Sequence, residues 1–453
     1  MEHGTIPLPK RKFGDDVTDI VPVRGLRSGG PYHTPENVKE SRVYLVPIIV
    51  NSPEFSLDYD EALGYVEEIR VVLKDYFRIR SEIIELSKNQ VLNIADYSTS
   101  SACMLYHKLD EVKQELIRRG YREELSITAV LLFTRSTAPQ IKITPYYVAK
   151  MIFGYEPVSQ IITEKALTNP KMSYTNIALG IFTKLGGIPW RLNEVMPSTD
   201  LIIGIGRTIL KYRRSPDQGE VTESWMGSVA IIRSDGVFKE ARATVVRTKN
   251  ELANWIAENI GRTLNSFILR HALEEINISI HYSGKKVSRE ELERIEEVIE
   301  ETKRREGIRI NVKIVHITDD IPHRLLCEKC NMYPLSGFYW IPSEREAYIT
   351  PLGASLVGSR VYYSFTGIPR TLKATLVKTI GSLSSRDALI DSLHEIYSLT
   401  FMHLAGLNIN INEPVSTKYS RELAYLIRSL EIASKTIAVQ TTITTVYNRL
   451  WFL

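Results

Sequence analysis

The sequence predicts an α/β fold in which a parallel sheet is followed by a region of partly antiparallel strands. Two continuous apolar runs, VYLVPIIV (Val43–Val50) and ITAVLLFTR (Ile127–Arg135), are typical of strands buried on both faces. Helical patterns lie between and after these runs, and this alternation predicts a parallel sheet with ligands at the strand ends. From Asp200 onward the pattern changes to strands joined by short polar turns.

Length and composition limit the kind of protein. A chain of 453 residues is too long for one ordinary core, so two or three domains are expected. The small net charge of +4 means that any nucleic-acid site has to be a local groove. No apolar run reaches the ~18–20 residues needed to span a bilayer. The N-terminus lacks the apolar core of a signal peptide, so we expect a cytoplasmic protein.

The first elements follow from periodicity and breakers. Residues 1–40 are rich in Gly, Pro and charge, which predicts an irregular arm. That arm is either a flexible terminus or a segment that docks on a later domain or a partner. Apolar residues at helical spacing predict a helix from Asp60 to about Arg80, and a second helix is expected from about Ser101 to Arg119.

The stretch from Thr144 to Trp190 is the most informative one. Thr144 is a good N-cap, Pro145 suits the first helical position, and Gly154 can end that helix. Ser173 is expected to cap the next helix, which the two glycines after Leu185 would close.

Five polar or aromatic side chains lie on the two predicted helices and the loop between them: Tyr146, Lys150, Gln160, Asn176 and Lys184. Their spacing puts Tyr146 and Lys150 on one helix face, and Asn176 and Lys184 on another. Together they offer one aromatic ring, two cations and two amides, with no acid/base pair. This set is suited to binding the phosphorylated end of a nucleic-acid strand together with its first base. Cations and N–H donors hold a phosphate, and an aromatic ring stacks on a base. The alternative interpretation is that the two lysines are solvated surface residues and that the tyrosine only packs against its neighbours. Only the spacing of the five residues favours a binding site.

The second half of the chain predicts strands, turns and helices in alternation. LIIGIGRT (Leu201–Thr208) is a strand, and an Asp-Gly turn at Asp235 joins two later strands. Ser288 and Glu291 form a capping box before a charged helix that we read as a solvated face. Further elements are expected at these positions: a helix at about Asn250–Glu274, strands at Ile278–Gly284 and Ile310–Thr318, and helices at about Ser385–His403 and Ser416–Ala433.

The order Tyr, Lys four residues on, Gln ten residues on, and a helix with Asn and Lys before GGIPW resembles the MID domain of Argonaute proteins. LIIGIG resembles the first strand of their PIWI domain. The resemblance implies an arm at 1–40, a Rossmann-like MID domain at 41–190 and an RNase H-like PIWI domain at 191–453. No room remains for the N and PAZ domains, so the chain is similar to the short, archaeal-type Argonautes of prokaryotes.

The resemblance also assigns roles. Tyr146 would stack on the first base of a guide strand, and Lys150, Gln160 and Lys184 would grip its 5′ phosphate, with Asn176 beside them. The carboxylate of the last residue, Leu453, would share Mg²⁺ with that phosphate, and Gln160 is the second expected ligand. The apolar ending RLWFL could bury itself and fix this carboxylate, or it could simply pack in the core.

An RNase H-like nuclease needs clustered carboxylates for two metal ions. At three of the family's metal positions this sequence has Gly206, Ser283 and Arg421, and Glu240 is the nearest candidate for a fourth. We therefore expect no guide-directed cleavage.

The implied function is guide-directed binding of complementary RNA or DNA by an inactive short Argonaute. A separately encoded partner would supply the missing N/PAZ-like surface and an effector, in defence against viruses or plasmids. Two alternatives stay open. One is an active endonuclease with an unconventional metal cluster drawn from Asp200, Asp235 or Glu240. The other is a scaffold with a vestigial pocket.

A lone CxxC, Cys327 and Cys330, makes half a zinc site. His316 and His323 could complete it at an unusual spacing. A packed or solvent-facing thiol pair is the alternative.

Overall fold

The computed structural model describes residues 2–453 except 87–89, 121–125, 136–142, 155, 214–220, 272, 327–332, 358–359, 364–368, 439–445 and 448. The helices are α1 Pro22–Gly29, α2 Glu36–Glu40, α3 Tyr59–Phe77, α4 Thr99–Arg118, α5 Pro145–Phe153, α6 Glu164–Thr168, α7 Pro170–Lys184, α8 Lys249–His271, α9 Arg289–Glu306, α10 Ser385–Thr400 and α11 Val415–Ile437.

The strands are β1 Glu2–Thr5, β2 Arg11–Lys12, β3 Thr18–Asp19, β4 Arg42–Asn51, β5 Ser81–Ile83, β6 Val91–Asn93, β7 Ser126–Thr134, β8 Val158–Thr163, β9 Arg191–Leu192, β10 Leu201–Arg213, β11 Val221–Arg233, β12 Phe238–Val246, β13 Glu275–Ser283, β14 Arg309–Thr318, β15 Phe338–Ser343, β16 Glu346–Ile349, β17 Ala354–Val357, β18 Arg360–Tyr363, β19 Leu372–Ile380 and β20 Val446–Tyr447.

The first sheet is parallel, as the two apolar runs predict. Its order is β5-β4-β7-β8, with β6 also paired to β4. One face of β4 packs on α3 and α7, and the other face packs on α4 and α5. Both faces are therefore covered, which explains why β4 and β7 read as unbroken apolar runs.

The second sheet has the order β1-β15-β16-β19-β14-β13-β10-β11-β12-β20. Its centre, β10, β13 and β14, is parallel, and its other pairings are antiparallel. Helix α8 and α9 cover one face, while α10 and α11 pack on the other. Helix α11 lies directly on β10 and also reaches α5 of the first sheet, so it connects the two halves of the molecule.

The N-terminal segment is ordered and docked, which decides between the two alternatives for it. Strand β1 pairs with β15 at the edge of the second sheet, and β2 pairs with β3 and β9. The Arg11 side chain is buried between the rings of Trp190 and Phe401, at 5.5 and 5.4 Å. It donates to the carbonyl oxygens of Ile20, Phe401 and Ile409. Its burial lowers its pKa to about 9.

Several helix ends differ from expectation by three or four residues: α3 ends at Phe77, α8 at His271 and α11 at Ile437, where about Arg80, Glu274 and Ala433 were expected. Helix α7 begins at Pro170 rather than after Ser173, because proline's fixed φ suits the first helical turn. The Ser173 hydroxyl instead donates to the Asn169 carbonyl oxygen at 2.9 Å, inside the helix. Helix α10 ends at Thr400, before the expected His403. The capping box of α9 is confirmed.

Among the described residues, no helix is both long and apolar enough to cross a membrane.

Candidate functional site

Helix α5 presents Tyr146 and Lys150 on one face, as their spacing predicts. The Thr144 hydroxyl caps the helix by accepting from the Tyr147 N–H at 3.4 Å, and Gly154 ends it with φ 47°. The Lys150 Nζ lies 5.7 Å from the Tyr146 ring centroid and 5.5 Å from that of Trp451. The two rings hold the ammonium group between them through cation–π attraction.

Lys150 and Lys184 are buried, each with 2% of its surface exposed. Lys184 Nζ donates to Gln160 Oε1 at 2.7 Å and to the Ser159 carbonyl oxygen at 3.1 Å. Lys150 Nζ donates to the Trp451 carbonyl oxygen. No carboxylate pairs with either ammonium in the described part of the chain. Buried charges are normally paired, so an anion from outside the chain would complete the charge balance of these two lysines.

Burial shifts both lysines away from their usual titration range. Desolvation lowers the pKa of Lys184 to about 7. Desolvation, with added repulsion from Lys184, holds the pKa of Lys150 well below its ordinary value. Repulsion between the two means that they share one electrostatic environment, so one anion could neutralise both.

The two amides have defined partners. Gln160 lies on β8 opposite Leu131, and its Nε2 donates to the Ile161 carbonyl oxygen at 3.2 Å while its Oε1 accepts from Lys184. Gln160 thus positions the Lys184 ammonium. The Asn176 Oδ1 accepts from the Leu407 N–H at 3.0 Å and ties α7 to the segment between α10 and α11.

The C-terminal residues close over this site. Leu450, Trp451 and Phe452 are each 3% exposed, and Phe452 packs on Phe238 and Tyr419. Leu453 is half-buried and its N–H donates to the Leu450 carbonyl oxygen at 3.1 Å. The C-terminal residues therefore pack in the core and also cover the Lys150 side chain.

A cavity of about 420 Å³ opens beside Tyr146. It is lined by residues of α5, α11 and the tail, among them Tyr147, His403, Lys418, Glu422, Tyr425 and Leu453. Sequence reasoning missed the residues of α11 and His403. A Lys–Glu pair four apart on a helix is visible in the sequence, but nothing there indicates that α11 packs against α5.

The first of the three expected metal positions, Gly206, lies on β10 beneath α11. A β-carbon there would meet the Ser420 carbonyl oxygen inside van der Waals contact, and the Arg421 amide nitrogen at 2.7 Å. Glycine is needed because the helix backbone approaches the strand so closely.

The other two expected metal positions carry no acid. Ser283 is the last residue of β13, opposite Ile317 of β14. Arg421, on α11, forms a two-point ion pair with Glu413 at 2.9 and 2.6 Å. Burial raises the pKa of Glu413, and Arg421 opposes this shift. An ion-paired guanidinium thus occupies the position where the family resemblance expects a metal ligand.

The carboxylates of the alternative nuclease hypothesis do not meet. Asp200 Oδ2 accepts from the Asn277 N–H at 2.8 Å, at the start of β10. Asp235 is held in the β11–β12 turn by Arg233 and the Val237 N–H. Glu240 is paired with Arg242 on β12. In the described ranges, no three His, Cys, Asp or Glu side chains are grouped to hold a metal.

The CxxC pair, Cys327 and Cys330, lies outside the described residues. His316 Nε2 bonds to the Gly284 carbonyl oxygen at 2.8 Å, and the exposed His323 stacks on Tyr348. The zinc hypothesis stays a prediction.

Comparisons with known proteins identify the family. The model of the Piwi domain matches residues 139–432. A search of curated proteins finds no match.

Solved structures share the fold. A. aeolicus Argonaute is 16% identical, with a TM-score of 0.63 over 99% of this chain and 55% of its own. Drosophila Piwi is 15% identical, with a TM-score of 0.66 over 100% of this chain and 56% of its own. Clostridium butyricum Argonaute, bound to a guide DNA (5′ deoxycytidine) and a 19-mer target DNA, is 17% identical, with a TM-score of 0.63 over 100% and 55%. The chain spans about half the length of these structures, and with the Piwi model matching more than half of its residues, it belongs to the Piwi domain family of Argonaute-like proteins.

Proposed function

We propose that this protein binds a short guide strand by its 5′-phosphorylated end and uses the guide's bases to capture complementary RNA or DNA without cleaving it. The observation that carries the proposal is the pair of buried ammonium groups, Lys150 and Lys184, without a carboxylate in the described residues. A terminal phosphate supplies the missing negative charge. Tyr146 is beside the pair and offers a ring on which the first base stacks.

For the phosphate to reach Lys150, it has to replace the Trp451 carbonyl oxygen as the hydrogen-bond acceptor. The phosphate carries charge and the carbonyl does not, so the exchange favours the ligand once it is desolvated. Gln160 holds Lys184 in place for the same anion. Asn176 contributes by fixing α7 against Leu407, at the back of the site.

The expected Mg²⁺ fits this chain only in part. The Leu453 carboxylate, beside Tyr146, is an oxygen ligand of the kind that Mg²⁺ prefers. Gln160 Oε1 is already bonded to an ammonium group, so it is not free for a cation. A divalent cation held by the Leu453 carboxylate would supply further positive charge to the site.

Absence of cleavage is supported by Gly206, Ser283 and the ion-paired Arg421 at the positions where the family resemblance expects metal ligands. Readout of a captured target would then fall to a separately encoded partner with an effector activity, in defence against invading nucleic acid. Copurification of a partner with the guide-loaded protein tests this step.

Replacing Lys150 and Lys184 together by methionine is expected to lower affinity for a 5′-phosphorylated guide about 100-fold, because two charge-assisted contacts are lost. Affinity for the same strand with a 5′ hydroxyl should change little. Titration of both strands by fluorescence anisotropy, with and without EDTA, measures the phosphate preference and its dependence on a cation.

The matched control is Lys171→Met, an exposed lysine of the same helix as Lys184. The Lys171→Met variant should keep the full preference for the 5′-phosphorylated strand over the 5′-hydroxyl strand. A thermal melt of the double variant establishes that its binding is measured on folded protein. Equal binding of phosphate and hydroxyl strands by the wild type rules out the proposed function.

Guide affinity is expected to fall as pH rises above neutrality. The pKa of Lys184 is about 7 in the free protein, so at higher pH it must take up a proton before it can hold the phosphate. The fall approaches tenfold per pH unit. Dissociation constants measured from pH 6 to pH 9 check this, with the hydroxyl strand as reference. The Lys184→Met variant should show a shallower slope, because only Lys150, whose pKa burial also lowers, is left to take up a proton. An unchanged slope in that variant contradicts the assignment.

A further inference from the structure

The cavity beside Tyr146 contains more than a stacking surface. Its wall on the α11 side carries an ammonium and a carboxylate, Lys418 and Glu422, with Nζ and Oε1 2.6 Å apart. Their side chains are 22% and 34% exposed, so both are accessible from the cavity yet partly shielded from bulk water. A volume of about 420 Å³ leaves space for one purine and its sugar.

Both charges act on the other side chains of this cavity. Burial raises the pKa of Tyr146, with further contributions from Tyr147 and Glu422. Burial lowers the pKa of His403 to about 3, and Lys418 adds to that shift. His403 is therefore neutral, and its Nδ1 is buried without a hydrogen-bond partner in the described structure. The stacking tyrosine and the charged pair thus belong to one small site.

The chemistry of this wall matches one base best. A carboxylate has two acceptor oxygens side by side, and it is satisfied by two neighbouring N–H donors. Guanine alone presents two adjacent donors, N1–H and the 2-amino group, on its Watson–Crick edge. The neighbouring O6 accepts from an ammonium group. Adenine, cytosine and uracil each offer a carboxylate one donor on that edge, flanked by an acceptor that it repels.

We propose that Lys418 and Glu422 read the first base of the guide and select guanine, with Glu422 accepting from N1–H and the 2-amino group and Lys418 donating to O6. This selection rests on the proposed function, since the base reaches the cavity only when the 5′ phosphate is held by Lys150 and Lys184. The ion pair that joins the two side chains in the free protein opens to take the base edge. Tyr146 stacks on the same base.

The same helix provides a comparison. Lys435 and Glu431 also form an ion pair four residues apart, at 2.8 Å, but neither lines the cavity. Glu422→Gln and Glu431→Gln therefore remove the same charge from the same helix, one inside the site and one outside it.

The experiment measures the affinity of four 5′-phosphorylated strands that differ only in the first base, and of a fifth that begins with inosine, which lacks the 2-amino group. Guanine is expected to bind about tenfold more tightly than the other three natural bases. Inosine should fall between guanine and adenine. Glu422→Gln should reduce the difference in affinity between guanine and the other bases to about twofold, and Glu431→Gln should leave this difference intact. Lys418→Met should weaken binding of the guanine and inosine strands equally.

Each outcome has one meaning. Equal affinity for all first bases, or a spread that survives both Glu422→Gln and Lys418→Met, overturns the inference even when phosphate strands still bind better than hydroxyl strands. Loss of the phosphate preference itself in the wild type overturns the proposed function instead. Circular dichroism melting of each variant establishes that the binding measurements are made on folded protein.

Discussion

Gly206→Ala is expected to lower the free energy of unfolding by about 1–3 kcal/mol, and Gly206→Asp by more than that. The added β-carbon would press on the Ser420 carbonyl oxygen and the Arg421 amide nitrogen, so α11 must move off β10. A carboxylate there adds a buried charge beside a helix backbone. Chemical denaturation of the purified variants measures both losses.

Gly64 provides the control. It lies exposed on α3, and a β-carbon there meets nothing within 4 Å. Gly64→Ala should therefore stabilise the protein slightly, by about 0.4–1 kcal/mol. A Gly206→Ala variant as stable as Gly64→Ala would refute the close approach of α11 to β10.

The same position tests the absence of cleavage. Guide-loaded wild type and Gly206→Asp, each incubated with a complementary target and Mg²⁺ or Mn²⁺, should leave the target intact. One carboxylate at Gly206 does not restore a cluster while Ser283 and Arg421 remain. Cleavage of the target at a single position by the wild type would instead support the alternative of an unconventional metal cluster.

Glu395→Gln is expected to lower the free energy of unfolding by about 3–5 kcal/mol, because it breaks a buried ion pair. Glu395 is 1% exposed on α10, and its carboxylate joins Lys313 Nζ at 2.8 Å and His281 Nε2 at 3.2 Å. Thr199 also donates to it. The substitution takes from the buried Lys313 ammonium on β14 its nearer carboxylate partner and leaves it the more distant Asp391, at 3.6 Å. Thermal and urea unfolding measure the loss.

A surface carboxylate serves as the control for Glu395. Glu293 pairs with Arg289 on the exposed face of α9, and Glu293→Gln should change stability by less than about 0.5 kcal/mol. The double variant Glu395→Gln with Lys313→Met should recover part of the loss, because the buried ammonium is gone as well. No recovery would mean that the ion pair is not the source of the effect.

The Glu395 carboxylate also makes the stability of the folded protein depend on pH in the acid range. Burial alone would raise the pKa of Glu395, but Lys313 and His281 together hold it at about 2, below its ordinary 4.5. Its contribution is therefore complete above about pH 4.5 and is lost as the pH falls towards 2. Stability measured from pH 6 to pH 2 should drop less steeply in Glu395→Gln.

Local sequence determined much of this protein. The apolar runs at Val43 and Ile127 became β4 and β7, since a strand buried on both faces needs apolar residues throughout. The caps at Thr144 and Ser288 became helix starts, because these side chains satisfy N–H groups that a helix leaves open. The spacing of Tyr146 and Lys150 placed them on one face. The capping prediction failed at Ser173, because the helix begins earlier, at Pro170.

Tertiary structure alone decided the rest, because contacts between distant segments leave no local pattern. The sequence does not show that Lys150 and Lys184 are buried together, that the Trp451 carbonyl accepts from Lys150, or that Arg11 docks the N-terminus. It does not show that α11 lies on β10 and against α5. That packing requires glycine at 206, brings Lys418 and Glu422 beside Tyr146, and so creates the cavity in which a first base would be read.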